Sequence, residues 1–212
     1  MVSETVSHRG HSSPDDRRSG ATRGQLLARG VATAGALTAG GILVGGLPKL
    51  AASKPSPEQD ERVLRWLLEV EYLQAAFYGE AERREALRGE LREFAARVGE
   101  HERAHVDSLE KTLGGNVGQP PGFDFKSATT DPREFVSTAV DLEEIAVAAF
   151  NGQVPNLTTR RVLTTMKIVS VEARHVGWAR DLAERNPAPQ PADEPATQAQ
   201  TTAAMQNTGF LE

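Results

Sequence analysis

The chain has 212 residues, of which 39% are hydrophobic, and a formal net charge of −5. That length suits one domain with additional segments at its ends. The absence of cysteine excludes disulfides, iron–sulfur clusters and thiolate zinc sites, which leaves His, Asp and Glu as metal ligands. Residues 1–52 hold six of the 24 Lys/Arg and three of the 29 Asp/Glu, so the remainder has a net charge of −8. An acidic body without a Lys/Arg-rich run argues against nucleic acid as the partner.

The first 52 residues have the order of an export signal rather than of a domain. A basic stretch that includes Arg17-Arg18 precedes nineteen uncharged residues, Gly30–Pro48, and the small residues Ala51-Ala52 follow. This order is typical of a signal peptide, with cleavage expected after Ala52. It resembles a twin-arginine (Tat) leader. The alternative is an uncleaved membrane tether through Gly30–Pro48, which nineteen uncharged residues can supply; both interpretations predict export.

The first two predicted helices are bounded by clear local signals. Ser56-Pro57-Glu58-Gln59 is a capping box that opens the first helix, and this helix is expected to end near Gly79. The second helix runs from about Leu87 to Leu113 and stops at Gly114-Gly115. Apolar residues recur at three- and four-residue steps along both, so each helix is expected to be amphipathic.

A long irregular stretch, Asn116–Thr130, separates the second helix from the third. Asp131-Pro132-Arg133-Glu134 is a second capping box, and a break at Asn151-Gly152 leads to the fourth helix, roughly Leu157–Arg185. Strand signals are absent. Residues 53–185 are therefore predicted to form an all-α four-helix bundle with a long crossover between helices 2 and 3.

The remaining residues, 186–212, are rich in Pro, Ala, Gln and Thr and contain little to bury. Segments of that composition cannot bury enough apolar surface to offset the entropy of ordering. The sequence therefore predicts a disordered C-terminal tail.

Each of the four apolar faces carries ionisable residues that a core normally excludes. A Glu-x-x-His pair lies on the second helix and another on the fourth, while the first and third helices each carry one Glu. Residues three apart leave a helix on one side, so each pair presents both side chains together. Two divalent cations would balance four carboxylates, and oxygen ligands with imidazole suit iron or manganese. The predicted ligands are Glu71, Glu102, His105, Glu143, Glu172 and His175.

Two Glu plus two Glu-x-x-His is the pattern of di-iron and di-manganese bundles. Four segments resemble the helix motifs of ferritin-like domain proteins, in the branch that includes bacterial and plant desiccation-related proteins; they are Glu71–Tyr78, Glu102–Val106, Leu142–Glu144 and Val171–His175. The resemblance covers roughly residues 57–185. It implies a ferritin-like bundle in which these six residues hold two iron ions, with manganese as the alternative. Gln74 stands where many relatives have a second acid, and we interpret it as a hydrogen-bonding neighbour of the centre.

Two alternatives concern the ligands themselves. Glu144 follows Glu143 directly and is the alternative ligand on the third helix. His101–His105 is also a literal H-E-x-x-H motif, which predicts two zinc ligands and a glutamate general base. Against that zinc hydrolase, Ser108 and Lys111 stand where the extended motif has Gly and His, no strand is evident, and the first His is expected on a different side of the helix from the Glu.

The expected function is an exported di-metal oxidoreductase with ferroxidase or peroxide-scavenging activity at the cell envelope, in the periplasm or outside the cell. The second hypothesis is a non-catalytic metal-binding or stress-protective protein, and the third is the zinc hydrolase. The expected partners are metal ions and dioxygen or peroxide, and the oligomeric state stays open, a homodimer included. Four aromatic residues are interpreted as packing residues rather than redox partners: Trp66, Tyr72, Tyr78 and Trp178.

Overall fold

A computed structural model of the chain describes residues 54–115 and 117–212. The predicted leader, 1–52, with the candidate membrane tether at Gly30–Pro48, lies outside the described residues. Among the helices that are described, none combines the length and the apolar character needed to cross a bilayer.

Five α-helices and one short 3₁₀ turn make up the regular structure of the described ranges. They are α1 (Pro57–Arg84), α2 (Gly89–Leu113), α3 (Pro132–Gln153), the 3₁₀ turn Val154–Asn156, α4 (Thr159–Leu182) and α5 (Gln198–Asn207). Within the same ranges, β-pairing is confined to one isolated bridge. The predicted all-α class is confirmed.

The predicted helix caps are present. Oγ of Ser56 accepts a hydrogen bond from the backbone N–H of Gln59 at 3.2 Å. The carboxylate of Asp131 accepts from the backbone N–H groups of Arg133 and Glu134 at 2.9 and 3.0 Å. These bonds satisfy amide groups that have no partner inside the helix, so they fix where α1 and α3 begin.

The first helix is longer than predicted. It passes Gly79 and ends at Arg84, where Glu85 adopts a left-handed conformation with φ 51°. A glycine inside a helix costs only about 1 kcal/mol relative to alanine. Tyr78 and Ala81, on either side of the glycine, are buried in the core, and their packing outweighs that cost.

The hairpins α1–α2 and α3–α4 pack together as a four-helix bundle. One end of the bundle holds a cluster of aromatic rings with centroids 5.1 to 6.2 Å apart; its members are Phe77, Tyr78, Phe94 and Phe135. Phe94 and Phe135 lie near the starts of α2 and α3, so both helices begin at this end. Residues 117–131 must therefore return along the length of the bundle, as the predicted long crossover requires.

The C-terminal segment is not the disordered tail that its composition predicts. Thr197 opens α5 with a capping box to Gln200. The backbone N–H of Ala196 donates to the carbonyl of Ala148 on α3 at 2.9 Å. The side chain of Met205 is buried against the bundle. A local cap, a backbone hydrogen bond to α3 and a buried apolar side chain hold this part of the segment, although its average composition is polar.

The last residues of the chain pair with the crossover. The backbone N–H of Asp124 donates to the carbonyl of Phe210 at 2.9 Å, and Phe123 and Leu211 form the isolated antiparallel bridge. The buried ring of Phe210 contacts the ring of Phe125 with centroids 5.2 Å apart. The C-terminal segment thus connects α3 to the crossover.

Candidate metal centre

The six predicted ligands meet in the core, and all four helices of the bundle contribute to the layer they form. The four carboxylates have no exposed surface, and the histidines are 8% and 3% exposed. The ligand atoms fall into two groups, each with all its atoms within 4.8 Å of one another. The Glu71 group consists of Glu71, Glu102, His105 and Glu172, and the Glu143 group of Glu102, Glu143, Glu172 and His175. Glu102 and Glu172, the carboxylates of the two Glu-x-x-His pairs, belong to both groups.

The imidazole of His105 directs Nδ1 into the Glu71 group. Nδ1 lies 2.8 Å from Oε1 of Glu172, 3.2 Å from Oε2 of Glu102 and 3.4 Å from Oε2 of Glu71. Burial lowers the pKa of His105, but the three neighbouring carboxylates outweigh it and raise the pKa to about 12. In the metal-free protein the ring is therefore a buried cation that offsets part of the negative charge.

His175 has the same arrangement in the Glu143 group. Its Nδ1 lies 3.0 Å from Oε1 of Glu102, 3.4 Å from Oε2 of Glu143 and 3.8 Å from Oε2 of Glu172. Burial again opposes the charge, and the neighbouring carboxylates again raise the pKa of the imidazole to about 12. The two Glu-x-x-His pairs thus present one imidazole nitrogen to each group.

The carboxylates of the two lone glutamates resist ionisation in this setting. Burial raises the pKa of Glu71 well above its usual value, and the charge of Glu172 raises it further. Burial also raises the pKa of Glu143, to about 7, although the neighbouring imidazole of His175 acts in the other direction. Nearby cations would remove this penalty, since opposite charge favours the ionised carboxylate.

Many polar atoms of the centre are buried without a hydrogen-bond partner. They are both carboxylate oxygens of Glu71, Oε1 of Glu102, Oε2 of Glu143, Oε1 of Glu172 and Nδ1 of His175. Several lie within ion-pairing distance of an imidazole but are not aligned for a hydrogen bond. Leaving one buried polar atom unpaired costs about 1–3 kcal/mol, and native cores rarely collect several in one place. Every one of these atoms is an oxygen or nitrogen donor for a metal ion, so the residues fit a metal site.

The structure distinguishes Glu143 from Glu144. Glu143 is fully buried and faces the centre, whereas Glu144 belongs to neither group. The carboxylate of Glu144 lies at the surface between α3 and α4 and forms an ion pair with Arg180 at 2.8 Å. The third helix therefore contributes Glu143, as its apolar periodicity indicates.

His101 also lies outside both groups, although it belongs to the H-E-x-x-H motif. Its Nδ1 is 2.9 Å from Nε2 of His175, on the side of that ring turned away from the carboxylates. A zinc hydrolase would need His101 and His105 around one ion. The arrangement argues against that alternative and makes His101 a neighbour of the centre, which the spacing within α2 alone does not reveal.

Two more side chains contact the centre. The hydroxyl of Tyr78, interpreted from the sequence as a packing residue, donates to Oε1 of Glu143 at 2.5 Å. Burial raises the pKa of Tyr78 well above its usual value and the Glu143 charge adds to this, so the phenol keeps its proton. Nε2 of Gln74 lies 3.5 Å from Oε2 of Glu172, as expected for a hydrogen-bonding neighbour. Both residues follow Glu71 at helical spacing, three and seven positions later, and that signal was available in the sequence.

Comparison with known families agrees with this geometry. A family model described as a ferritin-like domain matches residues 59–185, which is more than half of the chain. The matched range runs from the first turn of α1 past the end of α4 and contains all six residues of the centre. The search of curated proteins found no significant match. The chain is a member of the ferritin-like domain family.

Proposed function

We propose that this protein binds two divalent metal ions, iron or alternatively manganese, and oxidises ferrous iron with dioxygen or hydrogen peroxide. The observation that supports this proposal is the overlap of the two ligand groups, because Glu102 and Glu172 belong to both and would be shared by two ions. Carboxylate oxygens combined with imidazole suit iron and manganese. Two metal ions that share carboxylates supply two-electron chemistry on an oxidant.

Some residues of the centre would bind the ions, and others would position these ligands or keep water away. Glu71 and His105 would hold one ion, Glu143 and His175 would hold the other, and Glu102 and Glu172 would contribute to both. Ion binding requires each Nδ1 to give up its proton, so the imidazoles exchange a proton for a metal ion. The hydrogen bond from Tyr78 holds the Glu143 carboxylate in place, and the aromatic cluster beside it excludes water from that end of the centre.

Ferrous oxidation tests this proposal. Metal-free protein loaded anaerobically with ferrous ion should oxidise it faster than buffer does when air or peroxide is admitted, as followed by ferric absorbance. Glu143→Ala should slow the reaction by about tenfold or more, the loss typical when a metal site loses a supporting group. Iron that binds stoichiometrically but oxidises no faster than in buffer would favour the non-catalytic metal-binding protein.

Glu144→Ala is the matched control, because it makes the same change one residue away on the same helix. Glu144 is partly exposed and pairs with Arg180 outside the centre. Its removal should leave the oxidation rate close to that of the wild type. Equal losses in the two variants would contradict the assignment of Glu143 to the centre.

We further propose that the mature protein acts outside the cytoplasm, at the cell envelope. The support is the order of charges in residues 1–52, with a basic stretch before the uncharged segment Gly30–Pro48. N-terminal sequencing of the native protein should find a start near Ser53. A soluble cytoplasmic form that begins at Met1 would contradict export.

A further inference from the structure

His101 stands directly behind His175, where α2 faces α4. Nδ1 of His101 lies 2.9 Å from Nε2 of His175. The two rings are nearly parallel, with an interplanar angle of 15° and centroids 5.2 Å apart. His101 is half-buried, whereas His175 is buried, so the contact joins the centre to a residue nearer the surface.

The contacts of Nδ1, on the opposite side of the His175 ring, decide which of the two histidines donates this hydrogen bond. Nδ1 of His175 faces the carboxylates, 3.0 Å from Glu102, and is therefore the nitrogen that would bind an ion. A neutral imidazole that coordinates through one nitrogen carries its proton on the other. Nε2 of His175 is thus the donor and Nδ1 of His101 the acceptor.

The two imidazoles of the centre differ in how many of their ring nitrogens make a polar contact. Across the described part of the chain, the polar contacts of His105 are made by Nδ1, towards the carboxylates of the Glu71 group. His175 makes such contacts through both nitrogens. The second contact is therefore specific to the Glu143 group.

We propose that His101 is a positioning residue for His175: it accepts the hydrogen bond from Nε2 and so holds Nδ1 towards the ion of the Glu143 group. This inference rests on the proposed function, because it assumes that His175 binds an ion. Partners that orient a ligating histidine in this way contribute about 10–100-fold to metal affinity. Loss of the acceptor should therefore weaken the binding of the ion in the Glu143 group and leave the binding of the ion in the Glu71 group unaffected.

Two substitutions of nearly equal shape separate the hydrogen bond from the space that the ring fills. His101→Asn places a carbonyl oxygen where Nδ1 stands, since both atoms are bonded to Cγ, and His101→Leu places a methyl group there. In competition with a chelator, wild-type protein should bind Co²⁺ in two steps. His101→Leu should weaken one step by about tenfold, and His101→Asn should restore it to within about threefold of the wild type.

A second readout needs no metal. In nuclear magnetic resonance spectra of the metal-free protein, the Nε2–H proton of His175 should exchange slowly with water in the wild type and in His101→Asn. It should exchange rapidly in His101→Leu, because the acceptor is lost.

Three results would overturn the inference. His101→Leu with unchanged cobalt steps would show that the hydrogen bond does not orient the ligand. Equally weak cobalt binding in His101→Asn and His101→Leu would show that ring stacking, rather than the hydrogen bond, causes the effect. Unchanged Nε2–H exchange in His101→Leu would show that the hydrogen bond is absent. Failure of metal binding itself is distinct, since wild-type protein would then bind no cobalt at all. Failure of ferrous oxidation alone would leave both cobalt steps in place.

Discussion

Ionisable residues in the centre make the stability of the metal-free protein depend on pH. The pKa values of His105 and His175 are about 12 in the folded chain, against about 6.5 in an unfolded one. The pKa values of Glu71 and Glu143 are also raised by burial. All four groups hold protons more readily when the chain is folded. Under proton linkage, stability must then fall as pH rises.

We therefore expect the melting temperature of the metal-free protein to fall between about pH 6.5 and alkaline pH. The histidine contribution is complete below about pH 6.5, the unfolded pKa, and is lost progressively as pH rises towards about 12. Bound metal ions replace the same protons, so metal affinity should rise with pH and the gap in melting temperature between loaded and metal-free protein should widen. Calorimetry at several pH values checks this. A metal-free protein that becomes more stable over that range would contradict the protonation states assigned to the centre.

At the scale of helices, Asp60 joins the start of α1 to the start of α4. Its buried carboxylate accepts from the backbone N–H of Thr158 at 2.8 Å and from the Thr158 hydroxyl at 2.6 Å. Thr158 is the N-cap of α4 and makes no side-chain capping bond within its own helix. Asp60 thus supplies from another helix the acceptor and the negative charge that a helix N-terminus favours.

Asp60→Ala should lower the free energy of unfolding by about 1–3 kcal/mol, because it leaves the half-buried N–H and hydroxyl of Thr158 without their acceptor. Glu61→Ala is the matched control. Glu61 is exposed and pairs with Arg65 within α1, so its loss should change stability by less than about 0.5 kcal/mol. Urea unfolding measures both variants, and equal effects would contradict the role of Asp60 between the helices.

Local sequence accounts for much of this element-level structure. The starts of α1 and α3 were predictable because Ser56 and Asp131 bond to amides two or three residues away. The residues that form the two buried groups were predictable because three-residue spacing fixes a face of the helix, whatever the partner helices do. Gly79 was wrongly predicted to end the first helix. The low helix propensity of glycine can be read from the local sequence, whereas the burial of Tyr78 that compensates for it depends on contacts with other helices.

Contacts between elements distant in sequence could not be predicted in this way. His101 lies on a different side of α2 from Glu102, and only the placement of α4 shows that it meets His175. The C-terminal segment was wrongly predicted to be disordered for a related reason. Composition averages over its length, whereas its docking depends on Met205 and Phe210 and on backbone bonds to other elements.

At the scale of the whole molecule, Gly152 allows the C-terminal segment to lie against the bundle. A Cβ atom at Gly152 would come within 1.8 Å of the carbonyl oxygen of Ala196. Gly152→Ala should therefore displace this segment, reduce the burial of Met205 and Phe210, and lower the free energy of unfolding by about 1–3 kcal/mol. Limited proteolysis should cut the variant faster between α4 and α5.

Gly79→Ala provides the comparison, because a Cβ there meets only the end of the Arg83 side chain, at 3.5 Å. This variant should be more stable by about 0.5–1 kcal/mol, as expected for alanine in place of glycine inside a helix. A Gly152→Ala protein with unchanged stability and protease resistance would show that the close approach of the C-terminal segment does not matter for the fold.

Metal content measures the centre most directly. Protein purified without chelator and analysed by mass spectrometry of the elements should contain about two iron or manganese ions per chain. Glu102→Ala combined with Glu172→Ala should remove both ions, because these carboxylates belong to both ligand groups. A content of about one zinc ion per chain, lost on His101→Ala, would contradict the di-metal centre and support the zinc hydrolase instead.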